Sequence, residues 1–76
     1  MNNINLPKLI SSINDLDIFE INYSFSLPNN LHKVSKAIYY CKDTEYYYYF
    51  DGKKYIHVLG NDLGEVLEIV RKETFV

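Results

Sequence analysis

From Phe19 to Leu27 the chain alternates without a break: Phe19, Ile21, Tyr23, Phe25 and Leu27 fall on one side, and Glu20, Asn22, Ser24 and Ser26 on the other. A period of two marks a β-strand with one buried face, and no helix sorts these residues that way. The chain therefore contains a sheet, and any other element has to pack on it. With 76 residues there is room for a single small domain. Hydrophobic residues at 47% and charged residues at 24% set it apart from disordered chains, which are too polar to offset the entropy of ordering. A core of this size is close to balance against that entropy, so a partner or a second copy is expected to help it.

Around the alternating stretch the periodicity changes. Leu6, Leu9, Ile10 and Ile13 recur at helical spacing behind Asn5 as cap and Pro7 in the first turn, which predicts an amphipathic helix over about residues 5–15. Pro28-Asn29-Asn30 reads as a tight turn. Further strands are expected over about 32–42, 45–50 and 54–59, joined through Lys42-Asp43-Thr44-Glu45 and Asp51-Gly52-Lys53. Leu63, Val66, Leu67 and Val70 return to helical spacing, with Asp62 and Glu65 placed as a capping box and Arg71 and Lys72 near the end, so a second helix is expected over about 62–73. The order helix, four strands, helix predicts an α+β fold: a four-stranded antiparallel meander with an N-terminal and a C-terminal helix on one face.

Two-residue loops at Asn29-Asn30 and Asp43-Thr44 fix the register. They set Ile21 opposite Ile38 in the first hairpin and Tyr40 opposite Tyr47 in the second. One face then collects Phe19, Ile21, Tyr23, Phe25, Val34, Ile38, Tyr40, Tyr47, Tyr49, Ile56 and Val58 as the core beneath both helices. An odd loop or a bulge inverts everything beyond it. The opposite face carries Glu20, Asn22, Ser24 and Ser26, then Tyr39, Cys41, Tyr46, Tyr48, Phe50, Tyr55, His57 and Leu59. Half of that face is aromatic, a larger apolar patch than monomers usually leave to water. It suits a partner-binding surface made of Tyr39, Tyr46, Tyr48, Phe50, Lys53, Tyr55 and His57. It equally suits an exposed sheet stiffened by cross-strand tyrosine pairs.

The net charge is −2, against the basic excess of a general nucleic-acid or anionic-membrane binder. Locally the balance reverses, because Lys33, Lys36, Lys42, Lys53 and Lys54 face only Asp43, Glu45 and Asp51 in the middle of the chain. Lysines among rings on a sheet follow the logic of single-strand nucleic-acid binding, the alternative use of the same face. Cys41 has no second cysteine to pair with, and neither a signal peptide nor a membrane-spanning run is legible, so a reducing, cytoplasmic setting is expected. Cys41 and His57 share a face but lack oxyanion donors and an orienting group, and the lysines in the Asp51-Gly52 turn read as guards of an edge. His32, Cys41, His57 and the acidic residues lack zinc or calcium spacing, and the three glycines form no phosphate loop. No cofactor, metal or enzymatic activity is expected.

One compact acidic domain with a short helix, an antiparallel sheet and another helix resembles small phage-encoded inhibitors of the anti-CRISPR type. The resemblance lies in size, charge sign and element order, and implies a non-enzymatic protein that blocks a host protein. Ten acidic residues against eight Lys and Arg are too few for a DNA mimic, so inhibition is expected to use aromatic contact or dimerisation. Separately, a homodimer is expected, two copies pairing their outer sheet faces or edge strands so that the tyrosines are buried symmetrically.

Overall fold

The computed structural model describes residues 6–28 and 36–72. Five strands form one mixed sheet in sequence order: β1 (Lys8–Ile13), β2 (Leu16–Ile21), β3 (Ala37–Cys41), β4 (Tyr46–Phe50) and β5 (Tyr55–Val58). A single 3-10 turn (Ser24–Ser26) follows β2, and α1 (Leu63–Lys72) closes the described chain. Among the described residues no helix is long and apolar enough to cross a membrane.

The N-terminal helix expected over 5–15 is instead a strand. Asn14 and Asp15 both adopt left-handed backbone, with φ of 54° and 66°, the geometry of a two-residue hairpin turn whose twist matches its strands. Ile13 closes the turn against Leu16, and β1 runs back antiparallel along β2. The register slips between Leu9 and Ser11, a bulge that absorbs Ile10. That bulge lets apolar residues at helical spacing sit in a strand. Leu6, Leu9 and Ile10 are exposed, while Ile13 reaches the core. Replacing Asp15 by glycine removes the steric cost of its left-handed conformation at a smaller cost in chain entropy. The expected gain is about 0.5 kcal/mol, a rise of a few degrees in Tm, checked by thermal melting; an unchanged or lower Tm would contradict this turn.

The antiparallel meander is also corrected. β2 and β3 pair in parallel, Ile18 beside Ile38 and Phe19 beside Tyr39. Parallel neighbours need a long crossover, so Pro28-Asn29-Asn30 does not close a hairpin; residues 29–35 lie outside the described residues. The expected strand 19–27 ends at Ile21, and the described part of the next begins at Ala37. Parallel pairing sets odd residues beside odd ones, and this inverts the expected faces of β2. Ile18 points with Ile38 and Tyr49 toward α1, whereas Phe19 and Ile21 lie on the other side with Tyr39 and Cys41.

From β3 onward the expected register holds. Tyr40 opposes Tyr47 and Tyr39 opposes Tyr48, with Lys42 to Glu45 as a four-residue turn that preserves the parity. α1 packs Val66 and Val70 on Ile18, Ile38, Tyr49 and Val58, with Leu63, Leu67 and Ile69 at the margin. Its entry follows the capping pattern. Glu65 N–H donates to Asp62 Oδ1 at 2.9 Å, and Asn61 N–H donates to Glu65 Oε1 at 2.7 Å. Gly60 precedes it where a Cβ would lie 2.8 Å from Val66 Cγ2, so any other residue here would have to displace the buried Val66 side chain.

Candidate protein-binding face

The sheet face away from α1 is divided in two. Across one half the chain covers itself. Ala37, Tyr39 and Phe50 form a second buried cluster with Phe19, Leu27 and Tyr55 packed on it. Phe19 stacks on Tyr39 at 5.1 Å, and Tyr55 meets Tyr39 edge-on at 5.6 Å. The segment that crosses this half is pinned at both ends. Ser24 N–H donates to both carboxylate oxygens of Asp43 at 3.1 Å, and the Tyr55 hydroxyl donates to the Pro28 carbonyl at 2.5 Å. Burial, and then neighbouring Tyr39, push the Tyr55 hydroxyl far above the ordinary tyrosine range; burial likewise raises Tyr39. Cys41 is fully buried, and burial, followed by the charge of Asp43, pushes its thiol up to about 11. It stays protonated at neutral pH.

The other half is open. The β4–β5 turn is set by Asp51, whose Oδ1 accepts from Lys53 N–H at 2.8 Å and Lys54 N–H at 3.0 Å, with Gly52 at φ 103°. The resulting register places Tyr48 opposite His57. Tyr46, Tyr48 and His57 then form one ring cluster: His57 lies 4.4 Å from Tyr46 and 5.2 Å from Tyr48 between centroids. Tyr46 is 47% exposed and Leu59, just beyond β5, 76%. Beside the 3-10 turn, Tyr23 and Phe25 stack at 5.1 Å, with Phe25 80% exposed. Because Ser24 is held by Asp43, this pair sits at the same end of the sheet as Tyr46.

Of the residues expected to bind a partner, the structure brings Tyr46, Tyr48 and His57 together. Tyr39 and Phe50 are 2% and 3% exposed and are occupied by the chain's own Phe19, Leu27 and Tyr55. Tyr55 is half-buried under Pro28. Lys53 is exposed in the β4–β5 turn, beyond the end of β4 opposite Tyr46, and β4 itself spans about 13 Å at roughly 3.3 Å per strand residue. The site also includes residues absent from the expected list. A shallow groove of about 370 Å³ runs beside Tyr46 and His57 and is lined further by Glu45, Leu59, Asn61 and Glu65. Leu59 was legible from its outward parity. Glu45 and Glu65 belong to a turn and a helix entry far apart in the chain, and no local pattern joins them. Among the described residues no group of three or more His, Cys, Asp or Glu is placed to hold a metal ion.

The site thus belongs to the class of exposed aromatic sheet surfaces with an acidic margin. Compared with protein-family models, curated proteins and solved structures, the chain has no match.

Proposed function

We propose that the protein is a non-enzymatic binding module that docks on another protein through Tyr46, Tyr48, His57 and Leu59, with Tyr23 and Phe25 at the edge of the contact. The observation that carries this reading is the division of one face. The chain seals Tyr39 and Phe50 with its own residues but leaves Tyr46 and His57 exposed and Tyr48 half-buried beside them. Rigid rings lose little conformational entropy on desolvation, which makes such clusters the usual centres of binding energy. An inhibitor that occupies a partner's surface in the cytoplasm is one form of this activity; of the resemblance to phage-encoded inhibitors only size and charge sign stand behind it, because the expected N-terminal helix is a strand and the sheet is mixed. Nucleic acid is the poorer ligand: the exposed rings border Glu45 and Glu65, whereas Lys53 and Lys54 lie at the far end of the β4–β5 hairpin.

Affinity capture with the wild type is expected to recover a partner that Tyr46→Ser with Leu59→Ser loses by about 30-fold or more, the scale of a hot spot worth 2 kcal/mol. Lys53→Ala with Lys54→Ala should capture as the wild type does. Sedimentation of the pure protein identifies a second copy as the partner if the same ring substitutions dissolve a dimer. Equal recovery by the wild type and the Tyr46/Leu59 variant would end this assignment.

A further inference from the structure

The groove beside Tyr46 has a chemistry more specific than an apolar patch. Its aromatic side is the Tyr46–His57 pair, 4.4 Å apart, and its polar side includes the carboxylates of Glu45 and Glu65; no lysine or arginine lines it. The backbone of Glu45 is fixed while its side chain is exposed, and the carboxylate of Glu65 is itself hydrogen-bonded. Glu45 ends the β3–β4 turn at φ 62°, with its N–H donating to the Cys41 carbonyl at 2.7 Å. Glu65 is fixed at the entry of α1 by its bond from Asn61 N–H, which uses one of its two oxygens. Leu59 contributes an exposed aliphatic side. The basic residues Arg71 and Lys72 lie in the last turn of α1, about 10 Å from Glu65 at 1.5 Å per residue.

We infer that this groove receives an arginine side chain of the partner protein, an assignment that rests on the binding-module reading above. A guanidinium is planar, stacks on an aromatic face and donates in its plane to carboxylates, while its three-carbon stem is apolar enough to lie along Leu59. A lysine ammonium meets the charge but not the planar stacking and fork. Neutral or acidic side chains leave Glu45 and Glu65 uncompensated at the contact. Charge complementarity therefore selects a basic, arginine-bearing segment as the occupant, in keeping with the net charge of −2 of the module itself.

The test is titration of the isotopically labelled full chain with a blocked Gly-Arg-Gly peptide and with its citrulline counterpart, which keeps the shape and removes the charge. The arginine peptide is expected to shift the amides of Glu45, Tyr46, His57, Leu59 and Asn61, and to bind at least about 5-fold more tightly than the citrulline peptide, as a cation–π contact plus screened ion pairs would give. Glu45→Gln is expected to weaken it about 2- to 3-fold, and Tyr46→Ser to abolish it. Both side chains are exposed, so the amide spectrum of each variant reports an intact fold directly. Equal affinity for the two peptides, shifts confined to another surface, or full binding by Tyr46→Ser would overturn the inference. If partner capture still depends on Tyr46 and Leu59 while the arginine peptide does not bind, the arginine pocket alone is wrong. If neither depends on them, the binding face falls with it.

Discussion

Ile38→Ala is expected to cost about 3–4 kcal/mol of unfolding free energy, within the range for truncating a fully buried isoleucine. Ile38 is 0% exposed in the central strand, between Ile18 on β2 and Tyr49 on β4, in the cluster that receives Val66 and Val70 of α1. A domain of 76 residues has roughly 4–11 kcal/mol to lose at ordinary stability per residue, so this one side chain represents a large share. Tyr46→Ser, at an exposed ring on the opposite face, should cost less than about 1 kcal/mol. Urea melts followed by circular dichroism measure both. Similar losses for the two variants would mean that the rings assigned to binding in fact hold the fold together.

The second large effect is alkaline unfolding. Cys41 is pushed up from an ordinary 9.0 to about 11, and Tyr55 and Tyr39 are raised from 10.0, in each case mainly by burial. All three are neutral when protonated, and the folded state holds their protons more tightly than the unfolded chain. The contribution of Cys41 is therefore complete below about pH 9 and is lost as pH rises through about 11, whereas that of the two tyrosines is complete below about pH 10 and is lost as pH rises through their raised folded-state values, since in each case the unfolded state ionises first. Cys41 alone accounts for roughly 3 kcal/mol between pH 9 and 11 at about 1.4 kcal/mol per pH unit; the half-buried Tyr55 adds less over this range because the unfolded chain's tyrosine begins to ionise only near pH 10. Urea midpoints at pH 8, 9.5 and 11 should fall steadily. Cys41→Ala should flatten the lower part of the decline and Tyr55→Phe the upper part. A midpoint independent of pH over this range would show that these groups ionise as freely in the folded state as in the unfolded one.

What was legible in the sequence was local. The β3–β4–β5 run follows from the unbroken aromatic run Tyr46–Phe50 and from Asp51-Gly52, whose turn chemistry is complete within four residues. α1 follows from its apolar spacing and the Asp62/Glu65 cap. The outward set of Tyr46, Tyr48 and His57 comes from parity within those strands. Asn14-Asp15, a pair tolerant of left-handed backbone, was the available signal for the first hairpin. The helical spacing of Leu6, Leu9, Ile10 and Ile13 masked it, because a bulged strand and an amphipathic helix can share one apolar pattern. Tertiary structure alone decided the rest. Whether β2 meets β3 parallel or antiparallel depends on the path of a crossover between them, and that choice turned Phe19 and Ile21 to the far face. The burial of Tyr39 and Phe50 depends on Phe19 and Leu27 arriving from distant segments, and the groove depends on a turn and a helix entry meeting beside Tyr46. Neighbouring residues determine strands, turns and caps through backbone sterics and hydrogen bonds; contacts between remote segments are settled only when the whole chain competes for the same buried surface.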